Sequence, residues 1–473
     1  MDIEFRIELT DLHKGLAPLS HIDSDTFIGA GGQASDMKAD IISRPGFLTQ
    51  SPGLVDLTNG NQDGEVDELI RFIMEQPIND ADCYVVGTAH LFKLSVTTVV
   101  DDANYPMTIT GMTSGESIIH LNGNLFVFYN KATGGDIATL TLSTNTLDDD
   151  WGSTTDVLLE KALHPSAVKE DIILFGNGQY VGKYIEGLAT LDVQALDFGT
   201  GAEIADIVFH SNYWWIAVNY GKRKSQIYMY DGSALSNILS DESGVGAQEI
   251  GFLYTLNGVI YVSFSDSTGG GYSIGYLSGK VITPLKYFSG SLPDHRQKTL
   301  YKHTIAFISG ANIWSFGASV QQLPVQISKL ADAGHSTVGG IASPFGTPFV
   351  ASSDGEGDFR LAKFSGYSVD SEWKSLFVDL TRDNKIGNIH TIIVYTKPLE
   401  ENAKAVLKIE GNQGEESATI GDIETENRTR HEFNTINIPA VEDARVIIDY
   451  SEGNATADCP IRKIILLGNF VER

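Results

Sequence analysis

The sequence is poor in cysteine, with only Cys83 and Cys459 in 473 residues, one near each end of the chain. Two thiols can build neither a disulfide framework nor a four-thiolate zinc site, so the fold must be held by its own apolar core. Positive charge is also scarce. Lys and Arg number 33 against 61 Asp and Glu, a formal net charge of −28. Proteins that track nucleic acid draw their affinity from Lys and Arg displacing counterions, so nucleic acid is excluded as the main partner. No run approaches the roughly 18 consecutive apolar residues of a membrane-spanning helix, and no membrane partner is expected. The N-terminus, Met1-Asp2-Ile3-Glu4-Phe5-Arg6, lacks the apolar stretch of a secretory signal. The expectation is therefore synthesis in a cytosol without export, where the Asn-X-Thr sequons at Asn427 and Asn454 are chance.

Helical periodicity is nearly absent too. The best helix candidate is Val66 to Glu75, where Val66, Leu69, Ile70 and Ile73 share one face before Pro77. What the sequence does have is a 42% hydrophobic content, 22 Phe and 48 Gly, arranged as short β-branched and aromatic runs between Gly-rich turns. Leu125-Phe126-Val127-Phe128-Tyr129, Ile172-Ile173-Leu174-Phe175, Tyr213-Trp214-Trp215-Ile216-Ala217-Val218 and Val259-Ile260-Tyr261-Val262-Ser263-Phe264 read as strands. Asn122-Gly123 and Asn257-Gly258 read as hairpin turns.

These runs repeat. A strand, a tight turn, an aromatic strand, a polar loop and a third strand recur at roughly 40 to 50 residues, the period of a four-stranded propeller blade. Copies begin near Cys83, Ser117, Ala167, Ile207, Gly251, Leu300 and Val338. Seven blades over residues 46–367, with six or eight as the alternatives, close a ring, and closure removes the sheet edges that would otherwise aggregate. The pattern changes after Ser368. Longer, cleanly alternating runs such as Ile389 to Tyr395, Ala405 to Ile409, Phe433 to Ile438, Ala444 to Tyr450 and Ile461 to Leu467 predict an antiparallel β-sandwich over residues 368–473. Residues 1–45, with Gly29-Ala30-Gly31-Gly32, read as an extended N-terminal arm. The expected fold is all-β: arm, seven-bladed β-propeller, sandwich.

One motif has metal-ligand spacing. In Asn59-Gly60-Asn61-Gln62-Asp63-Gly64-Glu65-Val66-Asp67, side-chain oxygens fall at Asn59, Asn61, Asp63 and Asp67. Glu65 supplies a backbone carbonyl and Gly64 the sharp turn, the alternation that brings enough oxygens to one Ca²⁺. Calcium is the one cofactor suggested; a polar turn is the plainer alternative. Trp214 and Trp215 could stack on sugar rings, although strand alternation sends one of the pair to each face of the sheet. Asp148-Asp149-Asp150-Trp151 and Asp354-Gly355-Glu356-Gly357-Asp358 are acidic loop tips that could bind a cation or serve as the carboxylate pair of a glycosidase. His90, His120 and His210 sit in or beside strands and read as packed histidines. Gly271-Tyr272-Ser273-Ile274-Gly275 spells a nucleophile elbow without the helix an elbow needs, so no catalytic residue is assigned.

Two segments carry a resemblance. Gly15 to Ser20, Asp40-Ile41-Ile42-Ser43-Arg44-Pro45-Gly46-Phe47-Leu48-Thr49-Gln50-Ser51-Pro52-Gly53 and Leu57-Thr58-Asn59-Gly60 resemble the opening of β-propeller virion proteins of tailed bacteriophages. Ser371-Glu372-Trp373-Lys374-Ser375-Leu376-Phe377 and Ile389 to Leu399 resemble the β-sandwich that follows such propellers. The resemblance implies a non-enzymatic structural protein of the virion, in the tail or baseplate, present in several copies and contacting other virion proteins. The competing expectation is a carbohydrate-binding adhesin or a glycoside hydrolase built on a propeller, with glycan as partner.

Overall fold

The computed structural model describes residues 4–9, 34–40, 48–59, 66–79, 81–100, 104–152, 157–158, 162–221, 225–239, 249–265, 270–317, 324–330, 336–354, 358–368, 371–434, 436 and 438–472. Seven blades of antiparallel strands follow one another along the chain, each running from an inner to an outer strand; the sixth is part of a larger sheet, its outer strand pairing in parallel with Ala34–Asp40. The second blade is Ser114–Leu121, Asn124–Asn130, Gly135–Thr141 and Thr146–Asp148. The third is Ser166–Lys169, Ile172–Asn177, Tyr180–Ile185 and Thr190–Asp197. The fourth is Glu203–His210, Tyr213–Asn219, Ser225–Tyr230 and Leu235–Leu239, and the fifth Ile250–Leu256, Val259–Ser265, Gly271–Ser278 and Val281–Ser289. The sixth is Lys298–Tyr301, Thr304–Ser309, Asn312–Phe316 and Val325–Lys329.

The first and seventh blades depart from simple repetition. The first has Phe72–Ile73 as its inner strand, then Cys83–Val86, His90–Leu94 and Thr98–Val100, with Thr58–Asn59 added in parallel outside. The run at Cys83 is thus a second strand. Val66 to Glu75 is not helical: Phe72 and Ile73 pair with Val86 and Val85, and the apolar spacing arises because Val66, Ile70, Ile73 and Met74 are all buried. The seventh blade, Thr337–Ala342, Phe349–Ser353 and Phe359–Tyr367, takes its outer strand, Pro52–Asp56, from before the first. Beside it the Leu57 N–H donates to the Leu361 carbonyl at 2.9 Å. Neighbouring inner strands pack in chain order, and that of the seventh blade returns to that of the first, closing the ring.

The packing explains the sequence pattern. Apolar clusters lie between successive blades, one joining Phe128 and Ile137 to Ile173 and Phe175, another Leu174 and Val181 to Trp214 and Ile216. A second strand is covered on both faces, so Leu125 to Tyr129 is buried without alternation, whereas the outer strand Thr190–Asp197 alternates with solvent. Tight turns join the strands. Asn122-Gly123 and Asn257-Gly258 have left-handed φ at both residues (45° and 85°, 50° and 79°), the geometry that matches strand twist.

The chain divides into two compact units, Val55–Ile313 with Leu330–Lys363, and Met1–Leu54 with Trp314–Lys329 and Phe364–Arg473. The second of these contains the sandwich. One sheet orders Glu4–Leu9, Ile461–Glu472, Lys385–Thr396 and Arg430–Phe433; the other contains Ala34–Asp40, Glu372–Ser375, Asp443–Asp449, Ala405–Gly411 and Glu416–Ile423. Trp373, Val394, Leu407, Ile448 and Leu466 are buried in its core. Two pieces of the extended N-terminal stretch are therefore sheet strands of this unit: Glu4–Leu9 pairs with Ile461–Glu472 and Ala34–Asp40 with Glu372–Ser375.

Candidate functional site

The most highly charged buried region lies where the inner strands of the propeller converge. Four of these strands carry a bulge near their start, between Gly115 and Ser117, Ile204 and Asp206, Ile250 and Phe252, and Val338 and Ile341. Bulges re-aim side chains and admit a close neighbour. At two of them the neighbour is backbone: a Cβ on Gly251 would lie 2.1 Å from the Pro293 carbonyl oxygen, and one on Gly339 1.9 Å from that of Ile70. The segments leading into the sixth and first blades thus cross the ends of the fifth and seventh inner strands, respectively. The Gly340 N–H donates to the Ile70 carbonyl at 3.2 Å and the Ile341 N–H to the Arg296 carbonyl at 3.0 Å.

Side chains lace the ring at the same level. Arg296, ahead of the sixth blade, donates from Nη1 to Glu116 Oε2 of the second blade at 2.9 Å and from Nε to Asp294 at 3.1 Å. His295 Nε2 donates to the Glu116 carbonyl at 2.9 Å. Lys298 of the sixth blade bonds Asp206 of the fourth and donates to the Leu253 carbonyl of the fifth at 2.5 Å, while the Leu253 N–H donates to Asp206 Oδ2 at 2.6 Å. The Glu75 carboxylate accepts from the Thr299 hydroxyl at 2.8 Å, the Leu300 N–H at 3.2 Å and the Ser343 N–H at 3.2 Å, linking the first blade to the sixth and seventh.

Burial sets the electrostatics here. It pushes the carboxyls of Glu75, Glu116 and Asp206 up from their ordinary range, against the pull of their bonds to Thr299, Arg296 and Lys298. Burial acts on Asp294 in the same sense, but the Arg296 guanidinium outweighs it and holds that carboxyl well below the usual range. His295 is pushed down to about 3 by burial and is neutral, donating through Nε2. Arg296 is thereby spent on Glu116 and Asp294, and Lys298 on Asp206.

The sites suggested by the sequence fare differently. Of the calcium loop, the segment from residue 60 to 65, with Asn61, Asp63 and Glu65, lies outside the described residues, as does the Asn59 side chain; Asp67 is exposed. Among the described residues no group of three or more His, Cys, Asp or Glu side chains could hold a metal. Trp214 is not available for stacking: it is buried between blades, edge-on to Phe209 at 5.0 Å. Trp215 is half-buried, its indole N–H donating to the His210 carbonyl at 3.3 Å. The acidic tip at Asp148 to Trp151 is structural, Asp149 accepting from the Thr110 N–H at 3.1 Å and Trp151 packing against Phe126 and Tyr184. Asp354 accepts from the Asp358 N–H at 3.1 Å, and residues 355–357 lie outside the described residues, as does Gly29 to Gly32. Ser273 sits inside the strand Gly271–Ser278, not on an elbow. His90 lies 3.4 Å from Glu68, and His120 Nε2 accepts from the Gly123 N–H at 3.2 Å.

Sequence reasoning missed a recurring asparagine. The second strands of blades two, three and four all end on Asn, at Asn130, Asn177 and Asn219. Asn219 Nδ2 donates to the Ile250 carbonyl at 2.8 Å and Oδ1 accepts the Ile250 N–H at 2.9 Å, tying the fourth blade to the inner strand of the fifth. Asn130 does the same with Ala162, at 3.0 and 3.2 Å. Nearby, the fully buried His164 donates from Nδ1 to the Gly176 carbonyl at 2.9 Å, its pKa pushed down to about 4 by burial.

No protein family and no curated protein matches the sequence. Among solved structures, the extracellular domain of the putative one component system BT4673 from B. thetaiotaomicron is similar with 10% identity and a TM-score of 0.48, over 79% of this chain and 45% of that one. PorZ, an essential bacterial surface component of the type-IX secretion system of Porphyromonas gingivalis, is similar with 13% identity and a TM-score of 0.40, over 72% of this chain and 44% of that one. YCF48 bound to D1 peptide is similar with 9% identity and a TM-score of 0.45, over 70% and 98%. The chain spans less than half the length of the first two. Likeness at this level concerns the fold alone.

Proposed function

We propose that the protein is a non-enzymatic structural component of a multiprotein particle, working through protein–protein contacts of its propeller and sandwich. The sequence resemblance names the particle as a tailed-phage virion and the place as tail or baseplate, with several copies per particle. The observation that carries the reading is the pairing of Arg296 with Glu116 and Asp294, and of Lys298 with Asp206, across the ring. A hydrolase keeps carboxylates open to substrate and poised as acid and base. Here the axial carboxylates hold blades together, which favours a rigid scaffold. Mass spectrometry of purified particles tests the reading: copies in fixed ratio to the other particle proteins are expected, and absence from the particle would overturn it.

A further inference from the structure

We infer that the propeller face bearing its tight turns is an interface between two copies of this chain, stacked face to face about a two-fold axis. This goes beyond the proposed function and does not depend on which particle the protein serves.

In the first to fifth blades the turn between inner and second strands and the turn between third and outer strands lie at the same end, as do the inner turns of the sixth and seventh, so these share one face of the ring. Asn122 of the second blade and Glu186 of the third, one from each kind of turn, are hydrogen-bonded across that face. It exposes large apolar side chains: Val96 of the first blade, Leu188 of the third at 71% exposure, Leu235 opening the outer strand of the fourth and Val281 opening that of the fifth. Each stands on its own blade, so they offer separate points of apolar contact and the charges on the same turns decide what can meet this face.

The charges on the same turns choose the partner. The third and fourth blades present Glu170 and Asp231; the fifth and sixth present Lys280 and Lys302, all exposed. These charges stand at matching places. Glu170 and Lys302 are each the first residue of the inner turn, with φ of 53° and 56°, and Asp231 and Lys280 both lie in turns between third and outer strands. A two-fold axis lying in the face, through the first blade and between the fourth and fifth, carries the fourth blade onto the fifth and the third onto the sixth. It sets Glu170 against Lys302 and Asp231 against Lys280, places Leu235 on Val281, and brings Val96 to its own symmetry mate. A patch that is self-complementary under a two-fold is what an isologous dimer requires. The net charge of −28 does not forbid it, because at physiological ionic strength charges beyond about 8 Å are screened and the local pairs decide.

The test is sedimentation equilibrium of the full chain over a concentration series at physiological salt. A concentration-dependent mass of twice the monomer is expected. Glu170→Lys and Lys302→Glu should each weaken the dimer about tenfold or more, because each puts like charges opposite one another. Mixed together, these two variants should recover a heterodimer of wild-type strength, since every pair is then complementary. Glu and Lys already occupy the two equivalent left-handed turn positions, so both variants should fold, which circular dichroism checks. Leu235→Asp should weaken the dimer without rescue by mixing. A chain that stays monomeric throughout, a dimer indifferent to these substitutions, or a loss that mixing does not restore would each overturn the inference.

Discussion

Arg296 Nη1 lies 2.9 Å from Glu116 Oε2, joining residues 180 positions apart on the sixth and second blades. Both side chains are nearly buried, at 11% and 4% exposure. Removing one member of such a pair strands the other charge in a site prepared for two, at a cost of about 3–5 kcal/mol. Arg296→Met should lower stability by that amount in urea unfolding. Arg296→Met combined with Glu116→Gln should cost clearly less than the two single changes added together, because the second removes the stranded carboxylate. Additive losses would mean the two residues stabilise the ring independently.

The buried histidines predict an acid sensitivity. His164, with its pKa pushed down from an ordinary 6.5 to about 4, is neutral in the folded state, whereas in the unfolded chain it takes a proton as pH drops below 6.5. The unfolded state binds more protons in that window, so stability falls with pH from about 6.5 and the loss is complete near 4. For this one residue it reaches about 2 kcal/mol by pH 5. Glu75, Glu116 and Asp206 act in the opposite sense, since their raised pKa values relieve a burial cost as they protonate. The histidine share is isolated by comparing the pH slope of wild type with that of His164→Gln between pH 7 and 5. The variant should have the shallower fall; equal slopes would refute the assignment.

The inter-blade asparagines make a third case. Asn219→Ala leaves the Ile250 N–H and carbonyl without their side-chain partner inside the protein. Each buried orphan costs about 1–3 kcal/mol, so a loss of ~2–6 kcal/mol is expected, and Asn219→Asp should recover only the accepted bonds, from the Ile250 N–H and the Ser225 hydroxyl. Thermal unfolding of the three proteins measures this. The same change at Asn237, exposed on the outer strand of the same blade, serves as the control.

How much of this is legible in the sequence follows from the range of the contacts. The blades are visible because Asn122-Gly123 and Asn257-Gly258 fix hairpins locally and because a doubly covered strand such as Leu125 to Tyr129 is apolar throughout. The inner strand of the first blade is hidden because it is two residues long, Phe72–Ile73, inside a stretch whose burial imitates a helical face. The outer strand of the seventh is hidden because Pro52–Asp56 is borrowed from before the ring begins. Glu4–Leu9 was legible as extended chain, but its partner Ile461–Glu472 is at the far terminus and leaves no local mark. The axial lacing is invisible for the same reason: nothing near Glu116 announces Arg296. Only the asparagine ending successive second strands could have been found by aligning the repeats with one another.

The tryptophan pair separates the scaffold from the carbohydrate reading. Trp214 fills the space between the third and fourth blades with Ile204, Ile207 and Ile216, so Trp214→Ala should cost about 3–5 kcal/mol by opening a cavity. Trp215 is half-buried, with its N–H donating to the His210 carbonyl, so Trp215→Ala should cost less. On a glycan array the wild-type protein should give no signal that Trp215→Ala abolishes. Stability must be read alongside binding, because a Trp214 variant that loses glycan signal through unfolding says nothing about stacking. Saccharide binding by the wild type that disappears in a folded Trp215→Ala protein would move the function from scaffold to glycan recognition.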